Sequence, residues 1–259
     1  MNEFELIDKY FSKLSLNNKG SLGLNDDVFF DKAKKLAVSV DTYVEGIHFV
    51  NFDKPNLVIK KIIRSSISDL ICKGVQPKYY FISGSGNKRS FSKLNLKKIS
   101  NSLKQEQNKY SISLCGGDTV LSNKLSFTIT TIGFSQKIIF RNKAKLNDDI
   151  YVTGNLGDSY AGLNILKKKI NTNNYLNKYF KNKYYLPDLH LKLSDKLLSF
   201  AKNRSIASCT SLSIFTYARL PASAAPASAA PASAASVCTI ACSSRSSVLF
   251  SLPILNCLQ

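Results

Sequence analysis

The chain changes character near residue 205, and that change limits where a packed fold can lie. After Asp195 there is no Asp or Glu, and after Arg204 there is no Lys. Residues 221–236 then repeat Pro-Ala-Ser-Ala-Ala, with Pro221, Pro226 and Pro231 at its starts. A strict pentapeptide of small residues has little apolar surface to bury and reads as a flexible linker. The expectation is a folded part over residues 1–205 and a low-complexity tail, disordered or frameshifted, over 206–259.

Upstream of the break, apolar periodicity predicts alternating helices and strands. Phe4, Ile7, Tyr10, Phe11 and Leu14 predict an amphipathic helix over 3–14. A loop over 17–27 precedes a short strand over 36–41 that closes on Asp41. Leu57, Ile59, Ile62, Ile63, Ile67, Leu70 and Ile71 predict a helix over 56–72. Strands follow at 78–83, 111–115, 125–134 and 149–153, with helices over 93–105 and from Gly157. That order argues for an α/β (α+β sandwich) architecture.

The formal charge is +19, from 36 Lys and Arg against 17 Asp and Glu. Most of the cations are Lys, accompanied by abundant Asn, a bias that AT-rich coding produces whatever the function. A nucleic-acid groove needs basic residues interleaved with stacking aromatics. Lys60-Lys61 and Lys167-Lys168-Lys169 lack that pattern, so no nucleic-acid partner is expected, although the charge still attracts anionic nucleotides. The segment Met1-Asn2-Glu3-Phe4-Glu5 has no apolar signal core. Val248 to Leu258 is too short to span a bilayer. A cytoplasmic chain without a membrane partner is expected. Cys72 and Cys115 read as buried thiols, while Cys209, Cys238, Cys242 and Cys257 form no CxxC pair for zinc.

Four acids stand out because each closes a short apolar segment: Asp27, Asp41, Asp69 and Asp118. Several such carboxylates meeting in one place would suit magnesium and bound phosphates. Taken singly, each reads as a cap or turn residue, and spacing alone does not make them converge. There is no Gly-x-x-x-x-Gly-Lys-Ser/Thr loop, and Gly84-Ser85-Gly86 lacks the third glycine of a dinucleotide fingerprint and reads as a turn. With only His48 and His190 present, His-based hydrolysis has few candidates.

Five strings in order carry a resemblance: Asn25-Asp26-Asp27, Val38 to Phe49 (Val-Ser-Val-Asp-Thr-Tyr-Val-Glu-Gly-Ile-His-Phe), Ser68-Asp69-Leu70, Gly116-Gly117-Asp118-Thr119, and Asp149 to Gly154 with Leu156-Gly157-Asp158. Over residues 3–205 they resemble the motifs of thiamine-monophosphate kinases, in the aminoimidazole-ribonucleotide-synthetase-like superfamily. The resemblance implies direct transfer of the ATP γ-phosphate onto thiamine monophosphate, giving thiamine diphosphate. It implies Mg2+ held by Asp27, Ser39, Asp41, Asp69 and Asp118, with Val40 able to offer only its carbonyl. His48 would touch the thiamine substrate, and Gly117, Asp118 and Arg141 the nucleotide. It also implies an ATP- and Mg-binding domain over 1–145 that pairs with a second copy through a β-barrel, then a partial C-terminal domain over 146–205.

The chain departs from the family at several places. Asn25 stands where the family has glycine, and Leu186-Pro187-Asp188-Leu189-His190 where it often has Arg-Pro-x-Pro-Arg. Where an Asp-x-Ser-Asp-Gly-Leu motif belongs, the chain reads Ser208-Cys209-Thr210-Ser211-Leu212-Ser213. The alternative expectation is therefore a truncated, non-catalytic homologue that dimerises and binds nucleotide weakly.

Overall fold

Strict alternation along Ser126–Phe134, with Phe127, Ile129 and Thr131 buried and their neighbours partly exposed, makes this segment the centre of a sheet with one covered face. In the computed structural model, residues 2–140, 149–200, 206–209 and 212–217 are described, and all fall within one unit, Met1–Ala218. The main sheet contains β1 (Phe29–Asp31), β2 (Leu36–Val44), β3 (Gln76–Gly86), β4 (Ser113–Leu121) and β5 (Ser126–Phe134), in the order β1-β2-β5-β3-β4. All neighbours run antiparallel except β3 and β4. The parallel pair is joined by a helical crossover, as such pairs require.

Two long helices belong to this unit. The first, α2 (Pro55–Cys72), follows a short α1 (Glu3–Leu6) and begins with proline at its first turn, where the missing N–H costs nothing. It stops at Gly74, whose φ of +73° suits glycine. The Gly74 and Val75 amides return to the Ile71 and Leu70 carbonyls at 3.0 and 2.9 Å, which is the paired closure typical of a glycine-terminated helix. Val58, Ile59, Ile62, Ile63 and Ile67 of α2 are fully buried and form the centre of the core with Tyr43, Tyr80, Phe127 and Ile129. The second, α3 (Lys93–Tyr110), is capped by Ser92 and adds Ile99, Leu103 and Tyr110 to the same core.

Beyond the sheet lie α4 (Asp158–Leu166), α5 (Asn174–Tyr185) and α6 (Leu191–Phe200). A second, antiparallel sheet of β6 (Asp149–Val152), β7 (Ile206–Cys209) and β8 (Leu212–Tyr217) has the order β6-β8-β7. The repeat over 221–236, with Cys238, Cys242 and Cys257, lies outside the described residues.

Several sequence expectations are corrected. The predicted helix over 3–14 is α-helical only over Glu3–Leu6, then widens to a π turn and tightens to a 3-10 turn. Phe4, Tyr10, Phe11 and Leu14 are exposed, so no packing partner selects one regular helix. Asp41 does not end its strand, because β2 runs on to Val44. Gly84-Ser85-Gly86 is no turn but the end of β3, where Phe91 and Leu125 occupy the space that side chains would take. The helix predicted to stop at 105 reaches Tyr110, and β4 runs through the Gly116-Gly117-Asp118 string instead of ending before it. Cys115 is exposed on that edge strand, whereas Cys72 is buried as expected.

Candidate active site

The covered face of β2 carries chemistry as well as core. With a period of two, Ser39, Asp41 and Tyr43 all point from β2 toward α2. On α2, Ser66 and Asp69 are three residues apart and so share one side of the helix. The strand and helix thereby bring two carboxylates and three hydroxyls to one corner. The Ser39 Oγ donates to Asp69 Oδ2 at 3.2 Å. The Tyr43 hydroxyl donates to Asp41 Oδ2 at 3.2 Å and lies 3.0 Å from Ser66 Oγ.

The Asp41 and Asp69 carboxyls are in hydrogen-bond contact with each other, and Asp27 adds its charge from the loop before β1. Burial lifts the Asp69 carboxyl well above its ordinary range, and the charges of Asp41 and Asp27 push it further. Asp41 is raised chiefly by burial, with Asp27 contributing, while hydrogen bonds from Tyr43 and Ser66 act against the rise. Tyr43 is raised by burial and by Asp41 beside it, so it stays a protonated donor. Two like-charged carboxyls in contact share a proton when nothing else neutralises them.

Beside this corner, Asp26 faces the Lys73 ammonium at 2.5 Å, both side chains almost wholly buried. The contact is an ion pair off the line of a hydrogen bond. It ties the loop bearing Asp27 to the end of the helix bearing Asp69.

The remaining expected residues are dispersed. Val40 faces the other side of β2 and is 61% exposed. Gly117 and Asp118 lie on β4, an edge strand exposed along its whole length. Asp118 registers with Ser83, Thr128 and Thr42 across the outer face, whereas Asp41 registers with Ile129, Ile82 and Gly117. Three strand steps separate β2 from β4, roughly 14 Å at about 4.8 Å each, and the two acids point to opposite faces. A side chain at Gly117 would collide with the Ile82 carbonyl, so glycine is required for β4 to lie against β3. Among the described residues, no group of three or more His, Cys, Asp or Glu is set as a ready metal cage. Arg141 lies outside the described residues.

His48 stands on the turn after β2, half-buried. Its Nδ1 accepts from the Val44 amide at 3.0 Å, and its ring meets Tyr43 edge-on at 5.9 Å. Burial lowers its pKa, and Lys61 adds to the effect against an opposing pull from Asp41, so the ring is neutral at pH 7.

Sequence reasoning missed Tyr43 and Ser66. Their signal was present: each stands two or three residues from a motif acid, on the same face of its element.

Residues 24–135, which carry this sheet and both long helices, match the family described as AIR synthase related protein, N-terminal domain. Among curated proteins, the chain is 39% identical over 185 residues to the thiamine-monophosphate kinase of Buchnera aphidicola from Acyrthosiphon pisum, covering 67% of this chain and 56% of that protein. It is 30% identical over 238 residues to the thiamine-monophosphate kinase of Bacillus subtilis, covering 83% of this chain and 73% of that protein. A solved structure, AaThiL complexed with AMPPCP and TMP, superposes with a TM-score of 0.70 at 26% identity, covering 80% of this chain and 65% of that one. The chain belongs to the thiamine-monophosphate kinase family. It spans about half the length of the first of these relatives.

Proposed function

We propose that the chain is the N-terminal part of a thiamine-monophosphate kinase, with the terminal phosphoryl of ATP passing directly to the phosphate of thiamine monophosphate. The observation that supports this most is the buried contact between Asp41 and Asp69, beside Asp27 and Ser39, in a chain of this family. Burying like charges against one another is unfavourable, and such sites are where ligands bind.

The donor set is all oxygen, hard and anionic, and fits Mg2+. Asp27, Ser39, Asp41 and Asp69 would hold it, with Val40 offering its carbonyl. Magnesium there supplies neutralisation of the phosphate charge. Gly117, Asp118 and Arg141 are assigned to the nucleotide, and His48 to thiamine monophosphate. AMPPCP, a non-hydrolysable ATP analogue, and TMP bind together in the AaThiL structure, which supports both substrates.

The outer sheet face exposes Val40, Tyr79, Phe81 and Phe134 beside the uncovered β4 edge. Exposed apolar area of this kind is characteristic of an interface, and pairing of two copies across it is the arrangement we assign. A second copy would then cover Asp118. No helix among the described residues is long and apolar enough to cross a membrane.

The second reading is a homologue that dimerises and binds nucleotide weakly without turnover. It is favoured by Ser208 to Ser213 standing where the family has two further acids. Incubating the purified chain with ATP, Mg2+ and thiamine monophosphate separates the readings. Thiamine diphosphate formed by the chain and absent with Asp69→Asn supports the kinase. Nucleotide binding with no product, from a folded dimer, supports the second reading and overturns the first.

A further inference from the structure

His48 is fixed from three sides, by contacts whose sources lie far apart in sequence. Its amide donates to the Val44 carbonyl at 2.9 Å, within a turn where the Gly46 amide meets the Phe49 carbonyl at 2.7 Å. Its ring is held by the Val44 amide at Nδ1. Its carbonyl accepts from the Tyr184 hydroxyl at 3.4 Å, across 136 residues of chain. Tyr184 lies in the last turn of α5, is only 4% exposed, and is itself clamped by Lys61 of α2. The Lys61 ammonium lies 4.3 Å from the centre of the Tyr184 ring and 3.4 Å from its carbonyl oxygen.

The hydrogen bond at Nδ1 decides the chemistry of the ring. A backbone amide only donates, so Nδ1 is unprotonated and the neutral ring carries its proton on Nε2. Among the described residues no acceptor meets Nε2. The ring therefore presents one fixed donor on a half-buried turn whose backbone is anchored from α5.

Resting on the kinase reading of this site, we infer that Tyr184 is a positioning residue for His48, holding its Nε2–H as a fixed hydrogen-bond donor to a neutral acceptor on the substrate. The ligand class is a heterocycle with an unprotonated ring nitrogen, which the aminopyrimidine of thiamine monophosphate offers. An ammonium or N–H group in that place would be rejected, because the ring has no lone pair left. Lys61 acts one step behind, by keeping Tyr184 in place.

Tyr184→Phe tests the inference with little risk to the fold, since the ring over Lys61 is retained and one hydroxyl removed. Titration calorimetry should show thiamine monophosphate binding weakened about three- to tenfold, the worth of one hydrogen bond. ATP binding and the melting temperature should not change. In a His48→Ala background the same substitution should add nothing. An equal loss in both backgrounds, or no loss in the wild-type background, overturns the inference. A second readout does not need substrate. The chain has two histidines, so imidazole 15N spectra, assigned with His190→Gln, should show His48 as a single Nε2–H tautomer that becomes mixed in Tyr184→Phe. Wild-type chain that fails to bind thiamine monophosphate would sink the kinase reading, while the spectra would still decide whether Tyr184 orders His48. An unchanged tautomer there counts against the inference.

Discussion

Two groups of buried charge lie along α2 and its neighbours, and they are treated in opposite ways. On one side, Arg64 meets Glu106 through two hydrogen bonds of 2.8 and 3.1 Å and gives a third to the Pro187 carbonyl at 3.2 Å. Both side chains are under a tenth exposed, and every charge has its partner. On the other side, Asp69 lies against Asp41 with Asp27 adding its like charge, and the Ser39 hydroxyl donates to Asp69. Compensation of the first kind is what a fold needs to bury ions. Crowding of the second kind opposes folding, and it is the feature on which the proposed cation site rests. The Lys73–Asp26 pair stands between the two, compensated itself while holding the neighbouring Asp27 in reach.

The most forceful way to test this contrast is to remove one partner from the compensated side. Glu106→Gln leaves the Arg64 guanidinium buried without its counterion, and should cost about 3–5 kcal/mol of unfolding free energy. Urea titration measures it. The double replacement Arg64→Met with Glu106→Leu should recover most of that loss, because a buried pair is expendable as a pair. A single-variant cost below about 1 kcal/mol would show that the pair is solvated and that the contrast is false.

The crowded side should respond with the opposite sign. The folded-state pKa values of Asp41 and Asp69 are raised, so between the ordinary carboxylate value and the raised one the folded chain binds more protons than the unfolded chain. Their contribution to metal-free stability is thus complete at acid pH and is lost as pH rises through the folded values. Asp69→Asn removes one charge from the contact. At neutral pH, without metal, it should raise the melting temperature by a few degrees, with each kcal/mol worth roughly 2–4 °C in a chain of this size. The same variant should lose the stabilisation that Mg2+ gives the unsubstituted chain. A variant that melts lower than wild type in EDTA would contradict the crowding.

Asp118 has a smaller structural role than either. It is exposed, and its Oδ1 accepts from the Thr119 amide at 2.8 Å. Asp118→Ala should change stability by no more than about 0.5 kcal/mol, as surface substitutions do, while reducing the thermal shift given by ATP and Mg2+. A large loss of stability would mean that β4 is already covered in the free protein by a second copy.

How far the sequence disclosed these arrangements depended on the range of the contact. The core of α2 was legible because Ile59, Ile62, Ile63 and Ile67 repeat at helical spacing, and β5 because its alternation is strict. The identity of Asp27, Asp41 and Asp69 was legible from short strings, but not their meeting, which depends on β2 packing against α2. The same kind of string singled out Asp118, and the fold sends it to an edge strand on the opposite face. Arg64 with Glu106, and Tyr184 with His48, join residues 42 and 136 positions apart, and no local periodicity carries that information. The N-terminal segment shows the converse: its helical spacing is clear, yet without a surface to pack on the α geometry lasts four residues.

The smallest expected effect concerns a charge pair of the third kind, paired but in solvent. Lys183 donates to Asp188 at 2.7 Å, with the Asp188 side chain 64% exposed. The hydrogen bond from Lys183 holds the Asp188 carboxyl below the usual carboxylate range. Its stabilising effect is therefore present above the ordinary carboxylate pKa and is lost as pH falls through the lowered folded value. Water and salt screen such a pair, so Asp188→Ala should cost only about 0.2–1 kcal/mol, and less at high ionic strength. Urea midpoints at low and high salt, read beside Glu106→Gln, then give a scale for burial alone: two ion pairs of similar length on one chain, differing mainly in access to water. Equal losses would show that length, not burial, governs these contacts, and the distinction drawn along α2 would lose its basis.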